Sequence, residues 1–423
     1  MKQPLPQPAV EAAQRFPAVF QDDGAYASPL GAAWASGRVN IIGEHTDYNE
    51  GLVLPAAVSR VVAFAGRRRN DLNVRLWSEQ FQESGQFTLE GLPENFAQQR
   101  DAAPKWVRYV MGVASELIRA GIELCGFDAV VTGDVPLGGG MSSSSALVVA
   151  SAQAYALFSD GKFTIGTEHA KLTPMQLADL CAESERRSAG LNGGILDQAA
   201  SCLGQPGKAV LIDCRSLDYR YIPFDAPDLS IVVIDTNKRR ELTNSGYNDR
   251  TRECREAWQT IKALMLKHEP ENPAGAAISS LRDVTPEIFA KYQHELPEVQ
   301  RKRAGYVIAE NERVLQVVAL LEKGDHVGVG QLLWEGHAGL RDEYEVSCKE
   351  LDVAVEIARS VPGVLGARMM GGGFGGCTIN IVRNEAVEAL REAIEQHYEP
   401  QTGLRAGFDI CNTVGGPGYT FLA

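Results

Sequence analysis

Two periods alternate in the apolar pattern of this chain. Recurrence at helical spacing predicts helices over residues 10–20, 105–120, 250–267, 301–323, 349–360 and 385–397. In the second of these, Trp106, Val110, Val113 and Leu117 share one face. Alternating or β-branched runs at 58–65, 73–77, 127–131, 209–213, 229–235 and 377–382 read as strands. Residues 145–158 are small and apolar over a length that suits a buried helix better than a strand. Thr173-Pro174-Met175-Gln176 is a capping box with proline at the first helical position, and predicts a helix to about Arg187. A short helix is expected between Asn192 and Gly204, and the Pro-, Gly- and Ala-rich stretch 268–280 reads as a loop. Mixed helices and strands with hairpin-like connections favour an α+β class over a doubly wound sheet.

The chain has 423 residues, 44% hydrophobic and 22% charged, which is enough for two or three domains. A division near 215–230, drawn at 220, separates a motif-dense first half (1–220) from the remainder (221–423). The net charge of -13 argues against nucleic-acid binding through the overall field, but not against a local basic pocket. Eight scattered cysteines without a C-x-x-C pair read as free thiols in a reducing cytosol. The N-terminus lacks the apolar stretch of an export signal, and no run has membrane-spanning length. A cytoplasmic protein with no membrane partner is expected.

Chemistry concentrates in three segments. Residues 37–49 (GRVNIIGEHTDYN) place Glu44, His45 and Asp47 just after Arg38. A loop this dense in polar groups is not expected to pack a core, and it suits a small molecule covered in hydroxyls. Residues 136–146 (PLGGGMSSSSA) follow a strand and open the buried helix. There, glycines admit close backbone approach and free N–H groups attract anions. The loop lacks the lysine of a Walker A motif. Residues 371–376 (GGGFGG) match G-x-G-x-x-G, but they lead into a strand where a dinucleotide fingerprint leads into a helix. A ligand or a neighbouring strand would equally require such glycines.

Together with 192–198 (NGGILDQ), 211–216 (LIDCRS), 245–250 (SGYNDR), 310–313 (ENER) and 340–347 (LRDEYEVS), these segments resemble the galactokinase branch of the GHMP family of small-molecule kinases. The resemblance covers nearly the whole chain. It implies a ribosomal-S5-domain-2-like N-terminal domain and a ferredoxin-like C-terminal domain with the site between them. The implied reaction is ATP-dependent phosphorylation of D-galactose at C1, the first committed step of galactose catabolism, by a monomer.

By the same resemblance Asp197 is the base, in the first turn of a short helix where the dipole favours its ionised form. Arg38 sits beside it and offsets charge on the transferred phosphoryl group. Glu44, His45, Thr46, Asp47, the Gly194 backbone and Tyr247 hold the sugar. Gly138, Gly139, Gly140, Met141, Ser142, Ser143 and Ser144 hold the nucleotide. Trp106 matches an adenine-pocket tryptophan, although its helical spacing serves a core position as well. Ser144 and Glu185 are the implied Mg²⁺ ligands, with Glu183 as a competitor because the motif departs from the family pattern at Ser188. Two further departures are Ser36, where a proline usually precedes Gly37, and Met370, where a threonine usually precedes the triple glycine. The first loosens a turn, and the second removes a hydroxyl near the site. Alternatives to galactose phosphorylation are a non-catalytic galactose sensor, or a kinase for N-acetylgalactosamine, arabinose or galacturonate. The intact Ser144-Ser145-Ala146 disfavours the sensor, and the intact 44–47 block favours galactose.

Overall fold

The computed structural model describes residues 4–21, 24, 26–138, 140–159, 163–165, 172–190, 193–224, 226–239 and 243–422. Within them run β1 (Gly31–Asn40), β2 (Leu52–Val53), β3 (Pro55–Arg68), β4 (Asn73–Ser78), β5 (Glu83–Thr88), β6 (Phe127–Gly133), β7 (Lys208–Asp213), β8 (Tyr219–Pro223), β9 (Leu229–Asp235), β10 (Val364–Met370), β11 (Cys377–Arg383), β12 (Gly407–Cys411) and β13 (Gly418–Phe421). They form a six-stranded sheet ordered β13-β1-β3-β6-β4-β5, a four-stranded sheet β10-β11-β9-β12, and a small sheet β2-β7-β8.

The strand that positions the site, β1, is buried at all ten positions. Ala32 and Trp34 face the helix Gln7–Val19, while Ala33, Ala35 and Val39 join the main core with the helix Ser143–Phe158. Cover on both faces erases the apolar–polar alternation, so the Ala-rich run escapes a period-2 reading. The β1–β3 register shifts between Ser36 and Arg38. Gly37 lies at this irregularity, where an added Cβ would meet the Met141 carbonyl at 2.9 Å. The expectation of a loosened turn at Ser36 is therefore corrected: Ser36 lies within a strand, and its carbonyl accepts the Ser201 hydroxyl at 2.7 Å.

The four-stranded sheet is antiparallel throughout. Numbered from β9, its spatial order is 2-3-1-4, the ferredoxin-like arrangement. The division drawn at 220 falls inside β8, which pairs with β7. The chain's end also returns to the first sheet, as β13 beside β1. One core cluster takes Val39, Leu54 and Val149 from the first half, and Val317, Leu333 and Ile379 from the second.

Helix His326–Asp342 is absent from the sequence-based reading because four glycines lower its apparent propensity. Contact with β10 explains one of them. An added Cβ on Gly330 would lie 2.1 Å from the Leu365 carbonyl oxygen, so helix and strand touch backbone to backbone. The stretch 268–280 is not wholly loop: it holds the short helix Pro273–Ala277, capped by Asn272. Gly330→Ala is expected to destabilise by about 1–3 kcal/mol through overpacking, seen as a lower thermal midpoint. Val327→Ala, on the exposed side of the same helix, should leave the midpoint unchanged. Equal melting of the two variants would contradict this packing.

Candidate active site

Arg38 and Asp197, 159 residues apart, meet in the lining of one cavity. Strand β1 delivers the guanidinium, and the first turn of helix Leu196–Leu203 delivers the carboxylate. Arg38 Nε and Nη2 each lie 2.6 Å from Asp197 Oδ1. Nη1 donates to the Gly140 carbonyl, and Ser142 Oγ donates to Asp197 Oδ2. Ser142 holds a left-handed φ of 57° at the N-cap of helix Ser143–Phe158, a conformation non-glycine residues seldom adopt. Asp197, Arg38 and the serine-rich helix start are thus one bonded unit.

The polar segment after β1 is not a solvated loop. Glu44, His45 and Thr46 are buried, and the Glu44 carboxylate takes its partners from the second half of the chain. Glu44 Oε1 accepts the Gly371 N–H at 2.8 Å and an Arg368 N–H at 3.3 Å. Arg368 is fully buried and also donates to the Asn40 and Ile41 carbonyls. Gly43 N–H donates to Glu310 Oε1 at 3.0 Å. Partners of this kind let polar side chains enter a core. Arg368 received no role from the sequence, and Glu310 only a motif match. His45 Nδ1 lies 2.8 Å from Tyr48 Oη, which lies 2.7 Å from Tyr344 Oη. The His45 ring also faces Tyr247, which lines the cavity with Glu44, His45 and Asp47. Gly194 packs so closely on Asp47 that a Cβ there would lie 2.1 Å from Oδ2. Thr46 does not line the cavity: its hydroxyl is shared between the Gly43 and Leu52 carbonyls and pins the turn.

On the opposite wall Gly138, Gly140, Ser142, Ser143, Ser144 and Ser145 line the same space, and Gly139 lies outside the described residues, as does Asn192. Met141 is buried behind them and accepts the Arg38 N–H at 3.2 Å through its carbonyl. Glu185 is buried, accepting from Ser145 Oγ at 3.1 Å and from Gln198 Nε2 at 2.7 Å, with Ser144 also within hydrogen-bond reach. Glu183 points elsewhere, paired with Arg186 and Arg187. Trp106 is buried against Phe81, bonds Glu83 at 3.0 Å, and does not line the cavity. Met370, also off the cavity wall, is buried and accepts the Asn40 N–H through sulfur at 3.2 Å. The glycine loop lies between the cavity and the segment that follows helix His326–Asp342. Gly371, Gly372 and Phe374 line the cavity, while a Cβ on Gly373 would strike the Val346 carbonyl at 2.1 Å.

The cavity, about 270 Å³, carries four carboxylates (Glu44, Asp47, Glu185, Asp197) against two guanidiniums, Arg38 and Arg186. Burial pushes the Asp47 carboxyl up to about 7, and the charges of Asp197 and Glu44 push the same way. Burial also raises Glu185, opposed by its serine and glutamine hydrogen bonds and reinforced by Asp197. Tyr247 is held well above its ordinary value by burial and the three nearby carboxylates, so its hydroxyl keeps its proton.

Comparison with known proteins bears on what such a cavity is for. Residues 14–68 match the galactokinase galactose-binding signature, 108–205 the GHMP kinases N-terminal domain, and 317–400 the GHMP kinases C-terminal domain. The galactokinase of Chloroflexus aurantiacus is 39% identical over 92% of this chain and 93% of its own. The chain belongs to the galactokinase family. The human galactokinase is 39% identical over 88% of both chains. The crystal structure of Lactococcus lactis galactokinase complexed with galactose superposes with a TM-score of 0.85 at 33% identity, covering 97% of this chain and 98% of that one. Methanococcus jannaschii mevalonate kinase, at 15% identity and a TM-score of 0.60, shares the fold.

Suppressed ionisation at Asp47 has a consequence for stability. An unfolded aspartate releases its proton near 3.8, and the native one near 7. Between those limits the native state binds more protons than the unfolded state, so this group's contribution falls as pH rises through the window. Asp47→Asn is therefore expected to melt higher than the parent near pH 8 without ligand, with the difference shrinking toward pH 5. A constant difference across that range would contradict burial as the cause.

Proposed function

We propose that this cavity transfers the γ-phosphoryl group of ATP to the C1 hydroxyl of D-galactose, giving α-D-galactose 1-phosphate and ADP. The observation that carries this reading is the Arg38–Asp197 pair, set in one cavity between the Glu44–Asp47 segment and the serine-rich helix start. Asp197 accepts the C1 hydroxyl proton as the oxygen attacks phosphorus. Its Oδ1 is taken by Arg38, so Oδ2 faces the sugar once the Ser142 hydroxyl yields its place. Arg38 orients the carboxylate and offsets charge on the phosphoryl oxygens during transfer. Glu44 and Asp47 accept from sugar hydroxyls, and Tyr247 and His45 supply a donor and a ring face. N–H groups at the start of helix Ser143–Phe158 receive the phosphates.

Ser144 and Glu185 fit Mg²⁺. Both are hard oxygen donors at the phosphate wall, and a magnesium ion takes its remaining ligands from phosphates and water. Among the described residues no cluster of three or more His, Cys, Asp or Glu could hold a metal by protein ligands alone. Bound there, the ion would neutralise phosphate charge. We further read the protein as a cytosolic monomer. Both walls of the cavity come from one chain, and the eight cysteines form no disulfide among the described residues. No helix there is long and apolar enough to cross a membrane.

Release of ADP in the presence of galactose tests the reaction. Asp197→Asn should lose roughly 10²–10⁴-fold in turnover while binding galactose within a few-fold of the parent, measured calorimetrically. Parent-like turnover in that variant would remove the base assignment. Glu185→Gln should raise the half-saturating Mg²⁺ concentration about tenfold or more. An unchanged Mg²⁺ titration would move the metal elsewhere.

A further inference from the structure

A second guanidinium stands in the cavity wall, and nothing derived above uses it. Arg186 occupies the last turn of helix Pro174–Ala189, directly after Glu185, and lines the same space as Ser142, Ser143 and Ser144. Its Nε donates to Glu183 Oε2 at 2.9 Å, and Nη1 donates to the Gly193 carbonyl at 3.2 Å. Those bonds aim the fork without using it up, since Nη2 has no protein acceptor among the described residues. The side chain is 34% exposed, so it is both held and reachable.

An arginine in a last helical turn has a simpler explanation, because cations there meet the negative end of the dipole. Placement and charge favour more than that. Arg38 is already engaged by Asp197 and the Gly140 carbonyl. The carboxylate that pairs with Arg186, Glu183, does not line the cavity and is shared with Arg187. Arg186 is thus the cation among the described lining residues not neutralised by another lining group. A polyanionic triphosphate entering a cavity with four carboxylates needs such a charge beside the helix start, and a planar fork suits phosphate oxygens.

We propose that Arg186 is a phosphate-binding residue of the nucleotide site, donating from its outer nitrogen to a phosphate oxygen of ATP. The proposal rests on the kinase reading above and deepens it. The test measures affinities of the full chain for Mg·ATP, adenosine and galactose by calorimetry, in the parent, Arg186→Gln and Arg186→Lys. A lost charge-assisted hydrogen bond should weaken Mg·ATP by about tenfold or more in the glutamine variant. Adenosine and galactose should stay within about twofold, and lysine should restore part of the ATP affinity. Unchanged Mg·ATP affinity would overturn the proposal. So would equal losses for ATP, adenosine and galactose, which would mark Arg186 as a brace for the Gly193 loop only. Failure of the parent to turn over galactose would sink the kinase reading separately, while the contrast between ATP and adenosine would still decide Arg186.

Discussion

A buried guanidinium needs a carboxylate or a set of carbonyls, and Arg38 has both. Its ion pair with Asp197 draws β1, the helix Leu196–Leu203 and the glycine–serine loop to a single point. Breaking one partner of such a pair leaves an uncompensated charge in a poorly solvated place, which is far more costly than the pair's net contribution suggests. The pair therefore constrains geometry more than it adds stability. It also explains the register irregularity in β1: an interrupted ladder at Gly37 lets the backbone press against the Met141 carbonyl while Arg38 turns into the cavity.

The cavity wall that carries Glu44 depends on the far half of the chain. Glu44 is held by Arg368 and Gly371, and the Gly43 N–H by Glu310. Glu44, Arg368 and Glu310 are deeply buried, so each of their hydrogen bonds is strong and each missing one expensive. A carboxylate fixed in this way loses little freedom when a hydroxyl arrives, which is what preorganised recognition requires. The same burial raises Asp47 and strains neutral-pH stability, a trade often seen where a site must hold charge in a dry place.

Much of this was legible from residues alone. The capping box at Thr173, the buried helix after the serines and the strand after the glycine loop all form as their patterns predict. The family resemblance named the pair Arg38 and Asp197, and the structure brings them together. What escaped did so for physical reasons. Strand β1 is covered on both faces and shows no alternation, and the helix His326–Asp342 carries four glycines, one of which, Gly330, is required by the backbone of β10. Arg368 looked like any strand arginine, since a buried cation is defined by acceptors that sequence does not place. Thr46 and Trp106 sit in or near the right motifs yet face away from the cavity, because motif membership does not give side-chain direction.

The central claim is that Arg38 and Asp197 act as one catalytic unit. A double-mutant cycle on kcat/KM for galactose, using Arg38→Lys, Asp197→Asn and the two combined, tests it most directly. The account predicts strong non-additivity, with the double variant little worse than the more damaged single one. Losses that simply multiply would show that the two side chains work independently, and would contradict the account.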